Sequence, residues 1–219
     1  MAERSQIMII DMHVHTRPLS PCSSIDPEDA IKAAKKIGLD GLCFTEHEIT
    51  WKSEDIRQLS EKWNFPVFCG IEVDTSEGHI LVFGLKENQR NLLHIKRFRK
   101  LQDIIHISKG AMVVAHPFRN FILPELLDQQ PIINDACAKH VFHVVEAIEI
   151  CNGKSTEKEN DLAHEVSTRL QVKGVGGSDA HYIQEIGRCV TFFENNITNE
   201  EQLAAELKDG RFKAGYFQK

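Results

Sequence analysis

Short runs rich in β-branched and aromatic residues alternate along this chain with longer stretches whose apolar residues recur at helical spacing. A strand that runs parallel to its predecessor needs a crossover, so alternation of this kind implies a largely parallel sheet covered by helices. Residues 7–12 and 41–45 read as the first two strands. Between them a helix is bracketed by Asp26 as N-cap, Pro27 in the first turn and Gly38 as C-cap, with Ala30, Ile31, Ala34 and Ile37 on one face. Further strands are predicted over 66–73, 79–85, 112–115, 144–151, 172–177 and 189–193. Further helices are predicted over 53–63, 91–108, 155–170 and 198–208, with 118–141 less regular. About seven such units fit a closed barrel better than an open dinucleotide-binding sheet, and no Gly-x-Gly-x-x-Gly follows the first strand. No repeat, low-complexity tract or Gly/Ser linker interrupts the 219 residues, so they read as a single domain, 1–219.

Composition removes several classes of function. A hydrophobic content of 42% argues against disorder, and 13 glycines and six cysteines against collagen-like or disulfide-dense scaffolds. No apolar run nears the ~18 residues of a membrane span. The run 7–10 is too short for a signal-peptide core and Glu3 precedes it, so a cytoplasmic chain is expected. A net charge of −6 argues against an extended nucleic-acid-binding surface, which needs many Lys/Arg–phosphate contacts. The basic run 96–100 reads as the solvated side of a helix with Phe98 turned inward. The cysteines form no Cys-x-x-Cys pair; Cys43 and Cys69 sit in apolar runs as small hydrophobes, and no disulfide framework is expected.

Histidine is the anomaly, with eleven in the chain. His13 and His15 follow the first strand at i, i+2, which in extended chain puts both imidazoles on one side, as a shared metal requires. At this histidine content chance alone gives roughly half an His-x-His per chain, so the pair needs partners. They occur at the other strand ends: Glu46-His47, Glu72, His79, His116, and Asp179 with His181. A core of structural residues would not distribute costly ionisable groups so regularly. Imidazoles with carboxylates suit zinc, manganese or iron, and so many donors suit two or three divalent ions sharing a carboxylate. Three such ions against Glu72 and Asp179 leave a pocket of about +4, which favours an oxygen-rich anion such as phosphate.

The ordered blocks 11–16 (DMHVHT), 20–23 (SPCS), 44–47 (FTEH), 70–73 (GIEV), isolated His79, 115–118 (AHPF) and 176–181 (GGSDAH) resemble the polymerase and histidinol phosphatase (PHP) domain family. The resemblance runs from residue 11 to 181, about four-fifths of the chain. It implies a distorted (β/α)7 TIM-like barrel and a trinuclear metal site at the carboxyl ends of the strands. By motif, His13, His15, Glu72 and Asp179 would hold the first ion, and bridging Glu72 with His79 and His116 the second. His47 and His181 would hold the third, with a donor from the loop after His15, where this chain offers Cys22 in place of the usual His or Asp. Glu46 replaces the usual Asp before His47, a change expected to alter only the surroundings of the ligands. The implied activity is hydrolysis of a phosphomonoester, nucleotide or oligonucleotide end by a metal-bridged hydroxide, with His181 or His47 assisting the leaving group. Arg17 and Arg119, beside ligand blocks, are candidates to fork the phosphate, and Glu149 and Asn152 to orient ligands or bind substrate. The alternatives are a non-catalytic metal-binding module docked to a polymerase or other partner, and metal-dependent C–N hydrolysis. The five remaining histidines (His94, His106, His140, His143, His164) match no block and read as structural.

Overall fold

A computed structural model describes residues 7–86, 92, 95–121 and 129–217. The elements are β1 (Met8–Val14), α1 (Pro27–Ile37), β2 (Gly41–His47), α2 (Ser53–Trp63), β3 (Val67–Thr75), β4 (Gly78–Phe83), α3 (Phe98–Ser108), β5 (Ala111–Val114), α4 (Gln130–Ala138), β6 (Ala147–Asn152), α5 (Glu157–Leu170), β7 (Lys173–Gly177), β8 (Cys189–Phe193), α6 (Glu200–Asp209) and β9 (Phe212–Tyr216). Nine strands form one sheet in the order β7-β6-β5-β4-β3-β2-β1-β8-β9. It curls until β7 meets β1 and β8: Val14 bridges Ala180, and Thr191 Oγ1 bonds both the N–H and the carbonyl of Gly176 at 2.9 and 3.0 Å. The result is a nearly closed, distorted barrel in a single domain, as expected.

The distortion lies in strand direction. Pairs β1–β2, β2–β3, β5–β6 and β6–β7 are parallel, but β3–β4, β4–β5, β1–β8 and β8–β9 are antiparallel. The sheet is therefore mixed where the alternation predicts a largely parallel one. Residues 76 and 77 alone link β3 to β4, and Gly78 at φ 103 supplies the left-handed backbone of that hairpin. A second difference is the helix predicted from 91, which begins only at Phe98. Before it, the described residues bond elsewhere: Leu92 N–H to Glu48 O, Ile95 N–H to Leu92 O, and Ser76 N–H to Lys96 O. Residue 91 itself and His94 lie outside the described residues, and within 118–141 so does 122–128; α4 and a 3₁₀ turn at His140–His143 account for the rest.

The caps of α1 are as read from sequence. Asp26 accepts from the N–H groups of Glu28 and Asp29, and Gly38 takes φ 89. Thr156 and Glu159 form a capping box at α5. Apolar side chains fill the barrel interior (Met12, Cys43, Phe68, Phe83, Val113) and two helix–sheet layers outside it. Phe98 is buried in one of them. No described helix is long and apolar enough to cross a membrane.

Candidate metal centre

Parallel strands deliver their last residues to one rim, and the antiparallel β4 delivers its first. The hairpin register pairs Asp74 with His79 and Glu72 with Leu81, which sets His79 beside the end of β3. At the end of β1, where its register against β2 shifts, His13 and His15 turn their imidazoles to the same side. His116 and Asp179 follow β5 and β7 with φ of 27° and 55°, a left-handed conformation that turns each side chain off its strand axis and toward the rim. Gly177 lets β7 lie against β1: a Cβ there would come within 2.4 Å of His13 Cβ and 2.8 Å of His13 N.

One carboxylate organises the cluster. Glu72 Oε2 lies 3.0 Å from His47 Nδ1, 3.2 Å from His15 Nε2 and 3.5 Å from His13 Nε2; Oε1 lies 2.7 Å from His79 Nδ1 and 3.0 Å from His116 Nε2. Asp179 Oδ1 faces His15 Nε2 at 3.4 Å and His13 Nε2 at 3.7 Å, and Oδ2 faces His116 Nε2 at 3.7 Å. The Nε2 atoms of His13 and His15 approach to 3.1 Å. His181 places its ring centroid 4.5 Å from that of His15, and His47 4.4 Å. His13, His15, Glu72 and Asp179 are all buried.

Burial alone would push Glu72 and Asp179 up, but the charge of His13 and bonds from the other imidazoles (for Asp179 also Arg119) hold both well below the usual carboxylate range. Burial likewise opposes protonation of His13, yet Asp179, Glu149 and Glu72 hold it well above its ordinary value. His181 is lowered, by burial and then by the charge of His15. Without a cation, protons on imidazole balance these carboxylates; the same lone pairs, converging within 4.8 Å in sets of three, fit divalent ions. The sets are His13–His15–Asp179, Glu72–His79–His116, His15–His47–His181 and His13–His116–Glu149. This nitrogen and oxygen donor chemistry fits borderline transition metals.

All the expected donors meet here except Cys22. Its side chain is exposed, and among the described residues its sulfur enters none of the convergent sets. Its loop contributes instead through Ser20, whose Oγ lies 3.3 Å from His15 Nδ1 and 3.4 Å from the N–H of His47. Glu46 also enters no set; it accepts from Thr16 N–H and from Trp51 Nε1 at 2.9 Å. Arg119 reaches the centre: its Nη2 donates to Asn152 Oδ1 at 2.8 Å and to Asp179 Oδ2, while its buried Nε has no partner among the described residues. Arg17 does not; it is exposed, and its Nε donates to the carbonyl of Ser23.

Three further residues lie behind or beside the donors. Glu149, fully buried on β6, bonds His13 Nδ1 at 3.0 Å and accepts from His116 N–H at 2.8 Å and Asn152 Nδ2 at 3.0 Å. Asp11 accepts from Ser178 and Gly187 N–H groups, and burial raises it to about 6. Lys154 stands near the rim, its charge reaching His181. Asp11 was visible only as part of a motif, and nothing in sequence marked Lys154. Two clefts of about 640 and 650 Å³ lie away from the donor cluster, lined by residues such as Trp51, Cys69 and Glu200 in one and Arg99, His106 and Lys208 in the other. Convergence of donors, not concavity, marks the site.

A family profile described as PHP domain matches residues 11–153, and a second described as PHP-associated matches 157–212. An uncharacterized protein of Methanocaldococcus jannaschii, MJ1587, is 25% identical over 121 residues, 51% of this chain and 68% of that one. Among solved structures, PsfC from Pseudomonas syringae superposes with TM-score 0.61 at 21% identity, covering 96% of this chain and 92% of that one. A Bacteroides vulgatus two-domain protein described as containing a predicted PHP-like metal-dependent phosphoesterase gives TM-score 0.65 at 18% identity, over 98% of this chain and 66% of that one. This chain therefore spans just under two thirds of that two-domain protein's length.

Proposed function

The chain belongs to the PHP domain family, and on that premise we propose that it is a metal-dependent phosphoesterase acting on a phosphomonoester or a nucleotide or oligonucleotide end. The observation that carries this reading is the gathering of five imidazoles around the Glu72 carboxylate. In it, His13, His15, Glu72 and Asp179 would hold one divalent ion, and Glu72, His79 and His116 would hold a second. His47 and His181 offer a third position, for which the nearest further donor is on His15 and not Cys22. Bound zinc, manganese or iron supplies acidified water and draws charge from the phosphoryl oxygens.

The chain's own groups do the rest. Arg119 exchanges its contact with Asp179 for a phosphate oxygen, and the unpartnered Nε gives its guanidinium a second donor for a forked grip. Arg17 would have to leave Ser23 to join it, so Arg119 is the principal phosphate ligand. His47 and His181 have Nδ1 engaged, by Glu72 and by the Asp179 carbonyl, which leaves each Nε2 to hand a proton to the leaving alkoxide or to ligate. Glu149 fixes the His13 tautomer by accepting from Nδ1, which points Nε2 at the centre.

The test joins metal analysis to a substrate panel of histidinol phosphate, mononucleotides and 5′-phosphorylated oligonucleotides, assayed with added Mn²⁺ or Zn²⁺. We expect two to three ions per chain and phosphate release that falls at least ~100-fold in His13→Ala and Asp179→Ala. A fully loaded protein that turns over no phosphoester would sink the reading and favour a non-catalytic binding module; turnover of amides alone would favour C–N hydrolysis.

A further inference from the structure

Two thiols stand outside the metal centre and are used by nothing in it. Cys151 on β6 and Cys189 on β8 are both buried, 38 residues apart in sequence, and their sulfurs lie 2.6 Å apart. That is well inside van der Waals contact and about half an ångström longer than an S–S bond. The fold explains how they meet. β6 and β8 flank β7 at the seam where the barrel closes, and Cys151 is in register with Gly176 of β7. A Cβ on Gly176 would come within 2.5 Å of the Val190 carbonyl oxygen, so β7 presses on β8 with no side chain between them. The glycine strand thus brings the two cysteines together across it.

We propose that Cys151 and Cys189 form a reversible dithiol–disulfide pair that locks the barrel across its closing strand. The lock is independent of the phosphoesterase reading. Its oxidant is a low-molecular-weight disulfide. One protein thiolate attacks a sulfur of that disulfide, and the S–S electron pair departs on the first leaving thiolate, which takes up the proton. The second protein thiolate then attacks the protein sulfur of the mixed disulfide and expels the other small thiol. Two protein thiols are oxidised, and one small disulfide is reduced to two thiols. Contact with Cys151, and burial, push the Cys189 thiol up, so exchange is slow in the closed barrel. The bond is therefore set as the seam assembles or opens. Once set, it fixes Cys151 and with it the adjacent Asn152, which holds Arg119 and Glu149.

The whole chain, unfolded and refolded in oxidised-glutathione buffer without metal or substrate, is alkylated, digested without reductant and weighed by mass spectrometry. A peptide pair joined through Cys151 and Cys189, lost on dithiothreitol treatment and absent from Cys151→Ser and Cys189→Ala, is expected. The oxidised form should melt higher than the reduced form by roughly 5–15 °C, the entropy of closing a loop of this length. Cys22, exposed, serves as the control for indiscriminate oxidation. Six alkylatable thiols after equilibration, linkages joining other cysteines, or a Cys151–Cys189 bond with no change in melting temperature would each overturn the proposal. Since no turnover is measured, its failure and that of the phosphoesterase reading remain separate.

Discussion

The contact between His13 and Glu149 links the donors to the barrel wall. A fully buried carboxylate is costly unless every lone pair is used, and Glu149 uses both oxygens on His13, His116 and Asn152. Replacing it with Gln keeps shape but offers His13 Nδ1 either an amide oxygen or an amide N–H, so the tautomer is no longer fixed. Glu149→Gln should weaken metal binding by roughly 10–100-fold, read by titration calorimetry, while the circular dichroism spectrum stays native. The donors themselves were legible because each but His79, which opens its strand, stood at or just past the end of a predicted strand, and few structural histidines do so together. Glu149 was legible only as a candidate, since a carboxylate inside β6 declares its partner only when barrel closure brings His13 to it. Cys22 reads in sequence as a donor because its block follows His15. In space the eight-residue excursion between Thr16 and Ile25 turns its thiol outward and brings Ser20 in.

Elements rather than single residues decide where the rim is. The last residues of β7 and β8 were read as they are, and those of β1, β2 and β3 two residues short. Strand direction was not read, because period-2 alternation is the same whichever way a strand points and only connection length distinguishes the cases. His79 at the start of β4 was the available clue: a donor at the wrong end of a parallel strand is at the right end of an antiparallel one. β9 went unread although Phe212, Ala214 and Tyr216 alternate with Lys213 and Gly215: five residues are too short a run to mark a strand until pairing with β8 defines it. The close approach of β7 to β1 can be tested directly. Gly177→Ala forces a methyl against the His13 backbone and should cost about 1–3 kcal/mol of stability by denaturant titration. The same change should lower metal content, since His13 must shift to accommodate it.

For the molecule as a whole, closure stores ionisable groups in places water does not reach, and its stability follows pH accordingly. Glu146 joins the start of β6 to β5 by accepting the Met112 N–H at 2.7 Å. Burial raises its pKa despite that bond, so the folded chain holds the proton more readily than the unfolded one. Its contribution is therefore full below the unfolded value, near pH 4.3, and is lost as pH rises through the raised folded value. Glu146→Gln removes the dependence. At pH 7–8 the variant should melt above the parent, and the gap should close on acidification, as followed by thermal denaturation across pH.

The side-by-side placement of His13 and His15 has one more implication. Both look toward the donor cluster, Asp11 toward the loop after β7, and Met12 into the apolar filling. The register that β1 makes against β2 shifts within this same segment, between Asp11 and Val14. One residue more or fewer there would undo that shift and carry methionine to the rim in place of imidazole. Length here is therefore tied to the shift, whereas the turns that lead from α1 into β2 and from α2 into β3, at the far mouth, carry no such constraint.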